Sequence, residues 1–278
     1  MHPLLLLSLL SLTSFLTSSS SLFVAAQTDV DSFMLDSLPR NVTGEGMALA
    51  LPAEQDATLA AVVLANGLSM QYGTISSSVD WQSSGVLLQG CSINANINNC
   101  YQLMLAATGQ LQPGDDSPRQ RIEFLSKPNA QEGQTWRYQW RYRLTPGISS
   151  GSSFSHLVQL LSRAQGGYVI ALDTLNGRVV VRDSVPSRCP AAGCPSVPNS
   201  AFWGITTTHL MVVRFGAGGG ITYTVRNTAT NALILSYTIT NQFIPADASL
   251  KTGIYRAVTA TTSPGQARVG DFSFVRTA

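Results

Sequence analysis

Lys251 and Tyr255 stand four residues apart in Ala248 to Ala257, ASLKTGIYRA, a run rich in strand-forming residues. In an extended strand, positions 251, 253 and 255 point to one face, so the ammonium and the phenol share a surface with only Gly253 between them. A cation beside a phenol suits proton transfer. A tyrosine hydroxyl near pKa 10 is a poor base at neutral pH unless neighbouring cations, here Lys251 or Arg256, lower it. The plainer alternative makes Ile254 a core residue, Tyr255 an ordinary strand residue and Lys251 a solvated edge charge.

The elements that must position these groups read as strands. Trp136 to Arg143, WRYQWRYR, alternates without a fault between aromatic and polar residues. Tyr168 to Asp173 and Arg178 to Asp183 flank Asn176-Gly177, a hairpin signal. Met211 to Phe215, Ile221 to Arg226 and Ala232 to Thr240 continue the series, with turns at 216–220 and 228–231. The glycines at 216–220 follow a strand but introduce another strand, so they read as a turn and not as a phosphate loop. Ala57 to Leu68 is the one stretch with helical spacing, and segments 149–153 and 190–200 read as loops. No repeat of fixed period and no dividing linker is visible between residues 40 and 278. Many strands with turn signals and almost no helix predict an all-β fold, an antiparallel sandwich of jelly-roll type, concanavalin A-like.

The start of the chain points to export. Residues 3–16 form an apolar run of signal-peptide length, and Val24-Ala25-Ala26 offers small residues for cleavage before Gln27. The expected organisation is a signal peptide over residues 1–26, then a single domain over 27–278 with an N-terminal extension at 27–45. No later segment reaches the roughly 18 apolar residues of a membrane span. In an oxidising compartment the close pairs Cys91 with Cys100 and Cys189 with Cys194 favour local disulfides, although four cysteines permit three pairings. Zinc is disfavoured by the cysteine spacing and by the two histidines, His156 and His209, that remain after cleavage. Asn41-Val42-Thr43 is a glycosylation sequon. Charge is sparse, with 17 basic and 15 acidic residues, and all but two of the basic ones are arginine. No basic run marks a nucleic-acid binder. Guanidinium forks match carboxylates bidentately, so an arginine-lined groove suits an acidic polymer such as a polyuronate.

Arg121-Ile122-Glu123, Gln159 in HLVQLLS and Lys251-Thr252-Gly253-Ile254-Tyr255 occur in the order found in alginate-lyase and glucuronan-lyase jelly rolls. From about residue 85 to its end the chain resembles that family, whose concave face carries Arg-x-Glu-x-Arg, Gln-x-His and Lys-x-Gly-x-Tyr strands. Leu125 stands where the second arginine is expected, Leu161 where the histidine is expected, and Ala257 where glutamine commonly ends the last motif. The resemblance implies β-elimination on a uronate. Tyr255 would serve as base and acid, with Arg121, Gln159 and Lys251 neutralising the sugar carboxylate. Abstraction of such a weakly acidic proton requires fixed donors and positive charge to meet the charge that develops. His156 does not replace the missing histidine in an uninterrupted strand, because it lies three residues before Gln159 and points to the other face. Glu123 is expected to pair with Arg121. Arg137, Gln139, Arg141 and Arg256 are further candidates for binding sugar, provided that the polar side of the Trp136–Arg143 strand faces the groove. If its aromatic side does, Trp136, Tyr138, Trp140 and Tyr142 could stack on sugar instead of forming core.

No cofactor is expected, although Asp271 could ligate a structural calcium ion or serve in a turn. Glycosidase chemistry needs two carboxylates facing one bond, and Glu123 has no acidic residue two positions away, while Asp173 and Asp183 sit near hairpin ends. Nucleophile-elbow, zinc-protease and Walker motifs are missing. Two readings follow: a secreted polysaccharide lyase, or a non-catalytic carbohydrate-binding jelly roll that keeps the groove without its base. Either would be monomeric, with an acidic polysaccharide as partner, no nucleic acid and no membrane span.

Overall fold

The computed structural model describes residues 61–278 except 92, 94, 115–116 and 149–151, together with the backbone of a two-residue strand at 48–49. The expected cleavage after Ala26, the 27–45 extension and the Asn41 sequon lie outside the described residues. All described residues belong to one compact unit, Glu45–Ala278. In chain order the strands are β1 (Ala48–Leu49), β2 (Ala61–Asn66), β3 (Gln71–Ser76), β4 (Val79–Ser83), β5 (Val86–Gln89), β6 (Cys100–Leu105), β7 (Arg119–Ser126), β8 (Thr135–Leu144) and β9 (Ser155–Ser162). They continue as β10 (Gly167–Leu175), β11 (Arg178–Asp183), β12 (Ser196–Pro198), β13 (Thr206–Arg214), β14 (Gly216–Asn227), β15 (Leu233–Ile244), β16 (Ala248–Ala257) and β17 (Gly265–Arg276).

The strands form two antiparallel sheets. One has nine strands in the order β1-β2-β5-β6-β17-β8-β13-β14-β15, and the other has eight in the order β12-β11-β10-β9-β16-β7-β4-β3. The jelly-roll expectation holds. The described part of the Ala57 to Leu68 stretch is not a helix, because Ala61–Asn66 pairs edge to edge with β5. Its alanines and valines satisfy helical spacing equally well, and sheet pairing decides between the two. Leu175 pairs with Arg178 across Asn176 and Gly177, both at positive φ, as the hairpin signal predicts. Arg214 pairs with Gly220, so the chain does reverse at the glycine run, but the run is not a separate turn: it opens β14, and Gly216 and Gly219 already pair with Ile244 and Gln242 of β15.

The aromatic side of β8 decides which way that strand faces. Trp136, Tyr138, Trp140 and Tyr142 are buried and pack with Ile122, Phe124, Leu250 and Ile254 of the opposite sheet in one core. They are core residues and not a sugar platform. Each side chain of that size contributes several kcal/mol, since its truncation costs about 3–5 kcal/mol. Tyr142 also donates its hydroxyl proton to the Gly253 carbonyl at 2.8 Å, tying β8 to the middle of β16. Gly253 itself has φ +151°, and a Cβ there would lie 2.0 Å from the Ile122 carbonyl oxygen. Only glycine lets β7 and β16 approach this closely beneath the Lys251 and Tyr255 side chains.

Both disulfides, Cys91–Cys100 and Cys189–Cys194, are formed. Among the described residues no helix is long and apolar enough to cross a membrane, and no cluster of His, Cys, Asp and Glu could hold a metal ion.

Candidate active site

Three neighbouring strands, β7, β16 and β9, carry the predicted groups onto the outer face of the eight-stranded sheet. Register places Lys251 directly opposite Gln159, Tyr255 opposite Arg121, and Gly253 opposite Glu123. Glu123 is the hub. One carboxylate oxygen accepts from the Gln82 amide at 2.9 Å and the other from the Gln159 amide at 3.1 Å. Arg121 and Lys251 approach the same carboxylate at 3.7 and 3.8 Å. Burial pushes the Lys251 ammonium below its ordinary pKa, with Glu123 opposing that shift and the nearby Arg121 and Arg163 adding to it.

His156 lies on this face too. An uninterrupted β9 would turn it away from Gln159, but Val158 pairs with Thr252 while His156 pairs with Tyr255, so β16 has one residue more than β9 in this interval. A matching irregularity separates Leu172 from Asp173 on β10. Leu157 and Val158 both enter the core as a result, and His156 and Gln159 both face outward. The imidazole sits among Phe154, Tyr255 and Tyr168, with ring centroids 4.9, 5.7 and 5.7 Å away. Its Nδ1 is hydrogen-bonded to the fully buried Asp173 carboxylate, whose other oxygen accepts from Arg182 at 3.3 Å. Nε2 is the ring nitrogen left for exchanging a proton.

The Tyr255 hydroxyl accepts a 2.7 Å hydrogen bond from Arg119, and the Arg121 guanidinium lies 4.1 Å from the centre of its ring. Arg119 escaped the motif reading, yet β7 shows the signal: alternation puts Arg119, Arg121 and Glu123 on one face, with the extra arginine before the motif and not after it. Gln82 carried no such signal, because its link to Glu123 spans 41 residues. Arg119, Arg121, Lys251 and Arg182 against Glu123 and Asp173 leave the surface two charges positive. The surface opens on both sides of the cluster. A depression of about 370 Å³ beside Gln82 and Leu125 is lined by Tyr72, Asp80 and Trp81. One of about 170 Å³ beside Phe154 is lined by serines 152, 153 and 155 and threonines 259, 261 and 262.

Other candidates lie elsewhere. Arg137, Gln139 and Arg141 are on the far side of the nine-stranded sheet, where Arg137 bonds Gln139 and Arg141 pairs with Asp271 at 3.1 Å. Their strand presents its aromatic side to the core, so its polar side cannot reach the Tyr255 surface. Arg256 points inward from β16, 1% exposed, and bonds Gln120 and the carbonyls of Ala106 and Ser263. Burial lowers its pKa to about 10. Asp271, at φ +51°, accepts from the backbone N–H groups of Asn98 and Asn99, which is a turn role.

No protein-family model matches this chain, and no curated protein sequence matches it either. Solved structures do match. The endo-β-1,4-glucuronan lyase of the fungus Trichoderma reesei superposes with a TM-score of 0.50 at 14% identity, covering 73% of this chain and 94% of that one. The fold is that of a polysaccharide-lyase jelly roll. The alginate lyase of Corynebacterium sp. matches with a TM-score of 0.47 at 14% identity over 64% of this chain and 77% of its own. An alginate lyase of polysaccharide lyase family 7 gives 0.45 at 13% identity over 66% and 82%.

Proposed function

We propose that this chain is a secreted polysaccharide lyase that cleaves an acidic, uronate-containing polysaccharide by β-elimination. One observation carries the reading. His156 and Tyr255, 5.7 Å apart, share a face with Arg121, whose guanidinium makes no hydrogen bond among the described residues and whose Nε is buried without a partner. A guanidinium held ready beside an acid–base pair suits a sugar whose carboxylate must be neutralised before its neighbouring proton can leave.

The sugar carboxylate lies against Arg121 and Lys251, with Gln159 alongside. Asp173 accepts the Nδ1 proton of His156 and so leaves the Nε2 lone pair to take the proton from C5. The electron pair released forms the C4=C5 double bond as the C4–O4 bond breaks. The departing oxygen takes the Tyr255 hydroxyl proton, which is free to point outward because Arg119 donates to the phenol oxygen. Arg119 and Arg121 then stabilise the phenolate. This division differs from the expectation that Tyr255 alone is both base and acid, since the bulge in β9 supplies a second group. Glu123 holds Gln82, Gln159, Arg121 and Lys251 in place.

A non-catalytic acidic-glycan-binding role is favoured by one observation: His156 and Tyr255 are only 8% and 9% exposed. The two roles separate in one assay. Glucuronan, alginate and pectate are incubated with wild-type and Tyr255→Phe proteins, and the ultraviolet absorbance of the unsaturated uronate product is followed. A rise on one polymer that the variant abolishes supports the lyase. Binding without any rise leaves the glycan-binding role.

A further inference from the structure

We propose that Arg143 and Arg268, on the nine-stranded sheet and remote from the Tyr255 surface, form an oxyanion site that takes a carboxylate group. The two arginines are direct cross-strand partners between β8 and β17. Like charges facing each other in a sheet are destabilising, and here one of them is also withdrawn from water: Arg268 is 7% exposed. Its Nε is buried with no hydrogen-bond partner. Among the described residues its other bond is to the Thr145 hydroxyl at 3.2 Å, while Arg143 reaches the Thr206 hydroxyl at 3.5 Å. No carboxylate among the described residues pairs with either guanidinium.

The acid that follows Arg268 in β17 is already committed. Asp271 pairs with Arg141 and accepts two backbone N–H groups from Asn98 and Asn99. Those residues belong to the segment closed by Cys91–Cys100, which presses onto the sheet so tightly that a Cβ at Gly270 would lie 1.9 Å from the Asn99 carbonyl oxygen. Asp271 is thus held on that segment. A buried cation normally acquires a counter-ion, because desolvation without pairing costs several kcal/mol. Two guanidinium edges and the Thr145 hydroxyl offer a carboxylate bidentate donors of the kind it binds best, while the Thr206 hydroxyl donates to the Ala95 carbonyl. The source is either a free carboxylate or a uronate within a polymer. The inference does not rest on the lyase reading, because no residue of the Tyr255 surface takes part.

The test is the melting temperature of the Arg121→Gln protein, whose other anion surface is impaired, at constant ionic strength as sodium glucuronate replaces sodium chloride. At a hundredfold excess over Kd, binding to the folded state alone raises Tm by roughly 5 °C. Adding Arg268→Gln, or separately Arg143→Gln, is expected to abolish that rise. Without glucuronate the Arg143→Gln protein melts no lower than its parent, whereas a merely structural arginine would leave it less stable. Glucuronan oligomers replacing the monomer distinguish the source: a shift only with oligomers assigns the site to the polymer. No shift with either, or a shift that survives both substitutions, overturns the proposal.

Discussion

Two buried histidine–tyrosine pairs stand among the described residues, and one of them sits among charges. In the core, His209 uses both ring nitrogens on neutral partners, Nδ1 with the Tyr223 hydroxyl at 2.7 Å and Nε2 with the Thr207 hydroxyl at 2.9 Å, and stacks 4.7 Å from Trp140. Burial lowers its pKa to about 3 and pushes the Tyr223 phenol well above its ordinary value. On the outer face of the other sheet, His156 bonds a carboxylate through one nitrogen only, and Tyr255 is flanked by Arg119 and Arg121. The residue types are the same. The surroundings lock the first pair into neutral forms and give the second the fixed charges that proton transfer needs.

The largest expected effect separates the pairs outright. His156→Ala is predicted to lower the elimination rate by about 10²–10⁴-fold and also to lower Tm, because it leaves the buried Asp173 carboxylate with Arg182 as its remaining cation. His209→Ala should leave any elimination rate of the folded protein intact and cost about 3 kcal/mol of stability in urea denaturation. Next comes the hub. Glu123→Gln strands Arg121 and Lys251 without their buried counter-charge, so a loss of about 3 kcal/mol together with a raised KM is expected, read by denaturation and steady-state kinetics.

The third effect is one of pH. An unfolded His209 titrates near 6.5 and the folded one near 3, so between these values the unfolded chain binds a proton that the folded chain refuses. Its contribution is therefore present above about pH 6.5 and lost as pH falls towards 3, at a slope approaching 1.4 kcal/mol per unit, roughly. His209→Gln should flatten the pH dependence of the urea midpoint between pH 4 and 7. Smallest of all, Leu161→His places a histidine where the lyase pattern expects one. With His156 already beside Tyr255, kcat should not rise.

The strand pattern, both disulfides and the Lys251, Tyr255, Arg121 and Gln159 surface were legible because alternation fixes which side chains share a face and close cysteines close small loops. His156 was not, because the same alternation assigns it to the opposite face and a bulge reverses that assignment. Nothing in the HLVQLLS segment marks the bulge. It becomes visible only when Thr252 and Tyr255 are matched against Val158 and His156 across two strands. Arg137, Gln139 and Arg141 were legible as one face of β8, but which sheet that strand joins depends on long-range pairing. Arg256 illustrates the remaining limit, since a buried arginine held by carbonyls far away in sequence looks in the chain like any surface arginine.

The most direct test of the proposed elimination is to digest glucuronan in water enriched in heavy oxygen and weigh the released oligosaccharides. β-Elimination by His156 and Tyr255 predicts unsaturated products that gain no oxygen from water at the cut, with their yield from the His156→Ala protein reduced by about 10²–10⁴-fold in the same time. Saturated products that gain one labelled oxygen at each cut, or unsaturated products undiminished in His156→Ala, would contradict it.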